Sequence, residues 1–264
     1  LSIHLVEINP VLREKQQTTL SGVRNITWHN HLDEVPEGPA IILANEYFDV
    51  LPIHQVVRRE TGWHERVVDI DRDGSLLFRF GADCVPCREV LLPPLVRAAP
   101  LGAVFEWRPT TEMMKIAARV RHQDGAALII DYGHLRSDAG DTFQAIARHS
   151  YADPLKNPGQ ADVTAHVDFQ ALARAAEDVG ARVHGPVTQG DFLKRLGIET
   201  RAAALMAKTT PEISADISGA LKRLIDSGRG GMGSMFKVLA ITEPNLISVA
   251  GISDEPPEPE RETS

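Results

Sequence analysis

Asn45, Glu46 and Asp49 lie in the stretch Ala44-Asn45-Glu46-Tyr47-Phe48-Asp49-Val50-Leu51-Pro52, where a short apolar run, residues 40–44, breaks into a polar, acidic turn. The run reads as a buried parallel strand. In open α/β sheets ligands bind outside the carboxyl ends of the strands, so these three side chains fall where chemistry is expected. On a helix starting here, Glu46 and Asp49 would share one face with their Cβ atoms roughly 5–6 Å apart. Two carboxylates at that spacing can grip one planar cation. A plainer role stays open beside this one, in which Asn45 caps the helix and the acids answer its dipole.

Two more strand ends carry polar groups. Glu7 closes a strand at 2–8 and turns through Asn9-Pro10 into a helix, and Asp131-Tyr132-Gly133-His134 follow the apolar run 126–130. A strand-end carboxylate can accept both ribose hydroxyls, and it can equally cap the next helix. Asn30 and His31 end the neighbouring strand, 25–29, on the same edge as Glu7. His134 and His166 could accept a departing proton; in loops such residues are more often structural. His29 and His31 have ligand-like spacing but no matching third ligand, so no metal is assigned. Cys84-Val85-Pro86-Cys87 lacks a second pair and sits in a Pro-rich loop, and is read as loop residues of a reduced protein.

The elements that must position these groups alternate. After the strand at 2–8 come a helix at about 10–20, strands at 25–29 and 40–44, and a helix running from beyond Asp49 to about Arg59. Period-two runs on either side of Asp73-Gly74 mark 63–80 as an antiparallel hairpin. Residues 93–109 read as a loop, 111–122 as a helix with Met113, Met114, Ala117 and Val120 on one face, and 126–130 as a buried strand. The polar segment 135–167 is long for a loop in a compact domain and so reads as functional or lid-like. A helix capped by Asp168, a strand at 182–187, three helices between 190 and 227 and a last strand at 235–241 follow. The Pro/Glu-rich tail, 253–264, reads as disordered.

At 264 residues and 43% hydrophobic content the chain can bury a large core, and its formal charge of -8 argues against a chain-wide nucleic-acid footprint. No apolar run reaches membrane-spanning length. The chain opens on Leu1, directly into a strand.

Several of these motifs carry a resemblance. Glu7-Ile8-Asn9-Pro10-Val11-Leu12-Arg13, the 44–52 stretch, Ile130-Asp131-Tyr132-Gly133, the segment from Pro158-Gly159-Gln160-Ala161-Asp162 to Asp168-Phe169, and Gly231 to Leu239 are similar to the mitochondrial complex I assembly methyltransferases and their bacterial relatives. The resemblance spans nearly the whole chain. It implies a class I, Rossmann-like α/β fold with helices on both faces of the sheet, an antiparallel insertion at 63–100 and one domain over 1–252. It implies S-adenosylmethionine as cofactor and methylation of an arginine in a protein substrate, a respiratory complex I subunit by analogy, in the mitochondrial matrix or a bacterial cytoplasm. Glu7, Asn30, His31 and Asn45 then become cofactor-binding candidates, and Glu46 and Asp49 catalytic ones. A guanidinium delocalises its charge, so carboxylates that hold the charge away from one nitrogen localise the lone pair needed for attack.

One departure stands out. The family's glycine-rich loop, which follows its first strand, has no counterpart here, since Gly228 to Gly233 precedes the last strand. The expectation is that a strand from upstream of Leu1 lies between the strands at 2–8 and 40–44, which should not pair directly, and that the segment does not fold alone. A non-catalytic assembly factor on the same fold is the alternative, and a nucleotide-dependent oxidoreductase a weaker one.

Overall fold

The computed structural model describes residues 1–84, 92–148, 150–228 and 231–253. Asn9 starts the first helix: its Oδ1 accepts from Val11 N and Leu12 N at 3.0 and 3.3 Å, and Pro10 occupies the first turn, where a missing N–H costs nothing. That helix, α1 (Pro10–Thr19), joins β1 (Ile3–Val6) to β2 (Ile26–His29), which pair in parallel. Next come β3 (Ala40–Asn45), β4 (His54–Arg59), β5 (Gly62–Ile70), β6 (Leu76–Cys84), a short α2 (Pro94–Arg97) and β7 (Val104–Trp107). Then α3 (Thr111–Gln123) leads into the longest strand, β8 (Gly125–His134). Three short strands, β9 (Gln144–Ala147), β10 (Ser150–Ala152) and β11 (Asp162–Thr164), precede β12 (Val167–Asp168) and α4 (Phe169–Asp178). The chain ends on β13 (Arg182–Thr188), α5 (Gln189–Arg195), α6 (Ile198–Met206), α7 (Pro211–Ile225), α8 (Met232–Met235) and β14 (Phe236–Thr242).

β8 is the axis of the main sheet. It pairs in parallel with β3 from Ala40↔Gly125 to Asn45↔Ile130, antiparallel with β14, and in parallel with β12 at Gly133 and His134. β13 lies beyond β14, antiparallel to it. Alternation along β8 and β14 serves both faces of the sheet. Ala127, Ile129, Leu239 and Ile241 pack against Met113, Ile116, Ala117 and Val120 of α3 and Phe169, Leu172, Ala175 and Ala176 of α4. Leu128, Ile130, Val238 and Ala240 pack on the other side against Phe192 of α5. Burying each large side chain of these stripes contributes about 1.5–3 kcal/mol.

Glycines end β8 on both sides. Gly125 has φ +130, and a Cβ there would meet Ala40 O at 2.1 Å; at Gly133 it would meet Val167 O at 2.0 Å. Only glycine lets β3 and β12 lie this close.

β1 and β2 form their own two-stranded sheet, and no ladder joins β1 to β3 among the described residues. Ile41 and Leu43 of β3 are 82% and 72% exposed, and Ile8, Val11 and Leu12 around α1 are exposed too. The 32–36 segment ties this unit to the rest, through Leu32 in the core and Arg119, which donates to Val35 O at 3.0 Å and to Pro36 O.

Several expectations are corrected. The helix from Asp49 to Arg59 does not form: residues 46–53 make a turn, and 54–59 are β4. Leu51, Val56 and Val57 fit helical spacing, but β-branched Val56 and Val57 and the buried Gln55 belong to a strand flanked on both edges, by β5 and β7. Glu46 and Asp49 therefore share a turn, not a helix face. The hairpin at Asp73-Gly74 forms as read, with Gly74 N on Asp71 O at 2.9 Å, but its sheet is larger, β6-β5-β4-β7, and takes in 104–107, read as loop. The strand read at 126–130 continues to His134, and 135–167 carries the small sheet β10-β9-β11. Cys87 and the tail from 254 lie outside the described residues; Cys84 ends β6.

Candidate active site

β3 hands its polar end directly to β8. Glu46 N donates to Ile130 O at 2.9 Å, and the chain then swings over in a left-handed step, Glu46 having φ +48. This turn is held from below by Asp131, which is fully buried. Asp131 Oδ2 accepts from Phe48 N at 3.0 Å and Asp49 N at 3.2 Å, while Oδ1 accepts from Tyr132 N at 2.9 Å. Burial, and then the charge of Asp49, push the Asp131 carboxyl up to about 7, against the pull of those three N–H donors.

Asp49 is 3% exposed. Its Oδ2 accepts the phenol of Tyr132, the next residue along β8. Burial, and then that bond to Asp49, hold the Tyr132 hydroxyl well above its ordinary range, so it stays a donor. Asp49 Oδ1 is buried and has no donor. Arg108, following β7, is buried too: Nη1 donates to His166 O at 2.9 Å, and Nη2 to Ala165 O at 3.0 Å and Asp49 O at 3.4 Å. Its pKa is lowered by burial, which outweighs Asp131 and Asp49.

His166 closes the cluster. Its ring meets that of Tyr132 edge to face at 5.7 Å, and its backbone N–H donates to Thr142 Oγ1 at 2.9 Å. Burial, and then His134, lower its pKa, so the imidazole is neutral at neutral pH. Thr142 is itself fixed by Glu106 of β7, whose carboxylate accepts from Thr142 N and Phe143 N at 3.1 Å each, from the Thr142 hydroxyl, and from Gln55 Nε2 at 2.5 Å. The insertion sheet and the 135–167 segment are thus laced together at the site. Buried polar atoms without partners gather here: Asp49 Oδ1, Arg108 Nε, Thr164 Oγ1 and His134 Nε2, the last 3.9 Å from Asp168 Oδ2. Such groups are rare in folded proteins, and a cluster of them marks a place where a ligand or water completes the bonding.

Of the residues singled out in the sequence, Asp49 is at the centre. Glu46 is exposed at the mouth, its Oε1 at 3.4 Å from Asn45 Nδ2. Asn45, also exposed, ends the β3–β8 ladder opposite Ile130. Glu7 and Asn30 are brought to one edge, with Glu7 N on His29 O at 2.9 Å. Asn30 N donates to Glu34 Oε2 at 2.9 Å, and His31 opens the short helical turn 32–34. The Glu7 carboxylate braces the start of the next helix, which Asn9 caps, by accepting from Asn9 N at 2.8 Å and Gln16 Nε2 at 3.2 Å. Each of its oxygens keeps a further lone pair. Arg108 and Thr142 carried no signal in the sequence, each being a single polar residue in a stretch without period or motif; Thr164 lies within the 158–169 segment that carries the resemblance, but nothing there set it apart.

A family model described as "Putative S-adenosyl-L-methionine-dependent methyltransferase" matches residues 1–187. Among curated proteins, "Protein arginine methyltransferase NDUFAF7, mitochondrial" of Danio rerio is 34% identical over 91% of this chain and 61% of its own length. The human protein of that name is 33% identical over 91% and 58%. The chain thus spans about three-fifths of the length of the curated relatives it matches. A Burkholderia thailandensis crystal structure superposes with a TM-score of 0.78 at 28% identity, covering 96% of this chain and 67% of that one. A second, solved bound to S-adenosyl-homocysteine, gives 0.75 at 26% identity over 96% and 65%. The fold is the Rossmann-like methyltransferase fold, and the chain belongs to the S-adenosyl-L-methionine-dependent methyltransferase family of that model.

Proposed function

We propose that this chain carries the acceptor side of an S-adenosylmethionine-dependent methyltransferase that modifies an arginine side chain of a protein. The observation that supports it is Asp49 Oδ1, a buried carboxylate oxygen with no donor, fixed in place because its twin is held by Tyr132. A guanidinium N–H is the donor that such an oxygen suits. Glu46, exposed at the mouth of the same turn, takes a second N–H, so the cation's charge is drawn to one side and the opposite nitrogen keeps its lone pair. Neutral His166 receives the proton this nitrogen loses on alkylation. Tyr132 stays protonated and holds Asp49 through the step.

The residues fit the cofactor's ribose. Glu7 retains acceptor capacity at the end of a parallel strand, with Asn30 and His31 on the same edge and Asn45 at the end of β3. When bound, the cofactor supplies an electrophilic methyl group. Glu7→Ala in the intact protein is expected to weaken S-adenosyl-homocysteine binding by about 1.5–3 kcal/mol in calorimetry, the scale of charge-assisted hydrogen bonds. Unchanged affinity in a folded variant removes Glu7 from the site. A respiratory complex I subunit, and a matrix or cytoplasmic setting, belong to the same proposal; the Danio and human relatives are mitochondrial by name, and no helix among the described residues is long and apolar enough to cross a membrane.

The reading is tested with the intact protein, methyl-labelled S-adenosylmethionine and an extract of cells lacking the enzyme. Label in methylarginine after acid hydrolysis is the expected result, and label only in other residues, or none, overturns it.

A further inference from the structure

The four-stranded sheet and α4 enclose a cavity of about 520 Å³, within the range of sites that hold a ligand or a large side chain. One wall is a run of near-parallel rings: Phe105 and Trp107 lie 6.0 Å apart at 19°, and Trp107 and His54 5.2 Å apart at 17°. Trp63, 2% exposed, stands beside them, and Ala171 and Leu172 of α4 form the opposite side. Glu106 and Arg108 also border it, but the carboxylate is taken up by Gln55, Thr142 and Phe143, and the Nη groups by backbone carbonyls. Thr110, Ser137, Asp168, Arg174 and Asp178 border it too, but most of the wall is aromatic and aliphatic surface, and half-open pockets of this composition take apolar guests.

The cavity adjoins the acceptor site. His166 lines it on one side and packs on Tyr132, the donor to Asp49, on the other. Arg108 lines it and bonds Asp49 O. A peptide that places a guanidinium at Asp49 therefore has a neighbouring residue within reach of this space.

We infer that the cavity is a specificity pocket for a large apolar side chain, aromatic by preference, of a residue flanking the methylated arginine. Flat rings extend the Phe105–Trp107–His54 stack by offset or edge-to-face contact, which aliphatic groups gain less from. The inference rests on the arginine-methyltransferase reading, yet the two fail separately.

Trp63 and Trp107 are two of the three tryptophans, so their emission reports the pocket. In the intact protein without cofactor, N-acetyl-L-phenylalaninamide should give a saturable emission change at a midpoint about tenfold or more below that of N-acetyl-L-alaninamide. Ala171→Phe, which fills the space, should abolish this response while S-adenosyl-homocysteine still binds; Ala171→Met, a smaller filler, should weaken it if the first variant does not fold. The pocket is overturned by no saturable response, by equal or tighter binding of the alanine amide, or by a response that survives filling. A protein that takes the phenylalanine amide but forms no methylarginine overturns the arginine reading, whereas one that forms methylarginine and ignores the amide overturns the pocket alone.

Discussion

Asp49→Asn should lower methyl transfer by on the order of 10²–10⁴-fold while S-adenosyl-homocysteine binds as before. The amide is nearly isosteric, and its oxygen can still accept from Tyr132. Its NH₂ group then sits at the position of Oδ1, where the proposed function puts the guanidinium, so a donor would meet a donor and the pairing charge would be gone. Because the exchange keeps the turn's backbone bonds to Asp131, the variant should remain folded. Glu46→Gln should cost less, about tenfold, since Glu46 is exposed and its pairing is screened by water. Asp49→Asn activity within a few-fold of the parent, in initial rates of methylarginine formation, would remove Asp49 from the chemistry.

The second large effect is on stability. Removing the Asp131 carboxyl in Asp131→Ala leaves Phe48 N and Asp49 N buried without an acceptor, at about 1–3 kcal/mol each, and takes from the half-buried Tyr132 N its bond to the carboxylate, a loss that is a large share of an ordinary domain's stability. Asp131→Asn is the informative partner, because one carboxamide oxygen can still take Phe48 N and Asp49 N and the group no longer titrates. With its folded pKa raised from 3.8 to about 7, Asp131 binds a proton in the folded chain that the unfolded chain has released. Its contribution is fully present below the unfolded value and lost as pH rises through about 7. The stability of the parent minus that of Asp131→Asn should therefore fall between pH 4 and 7, by up to about 4 kcal/mol at about 1.4 per unit, and level off above. Denaturant titrations across that range check this, and a pH-independent difference would mean that Asp131 is ionised throughout.

Where the sequence misled, the reason is local. The turn after Asn45 looked helical because two acids three apart and Leu51, Val56 and Val57 satisfy helical spacing; what decides the outcome is the pairing of 54–59 on both edges, in a tight hairpin with 62–66 and, far along the chain, with 104–107. The strand ends at Asn45 and just before Glu7 were readable because apolar runs that stop at polar clusters need no long-range information, whereas at Asp131 the apolar run stops but the strand continues to His134, held by its ladder with β14. The apolar stripes of α3 and α4 were readable for the same reason. Asp131 and Tyr132 stood out as a cluster, but their work on Asp49 depends on β3 lying beside β8, a contact set by tertiary pairing. Arg108 and Thr142 act through backbone carbonyls and an amide of the 165–166 segment, partners that composition does not reveal.

Gly125 and Gly133 have a bearing on how this protein can diverge. Each sits where a neighbouring carbonyl leaves no room for a side chain, so together they mark both ends of β8 like stops on a ruler. Inserting or deleting one residue between them would bring a side chain against Ala40 O or Val167 O, turn Asp131 away from the 48–49 amides, and exchange the residues facing α3 and α4 with those facing α5. The tip of the β5–β6 hairpin and the segment between β10 and β11 face no such limit, because neither is threaded through the site. Descendants of this chain can lengthen there freely, whereas the site itself can change only by exchanging one residue for another at constant length.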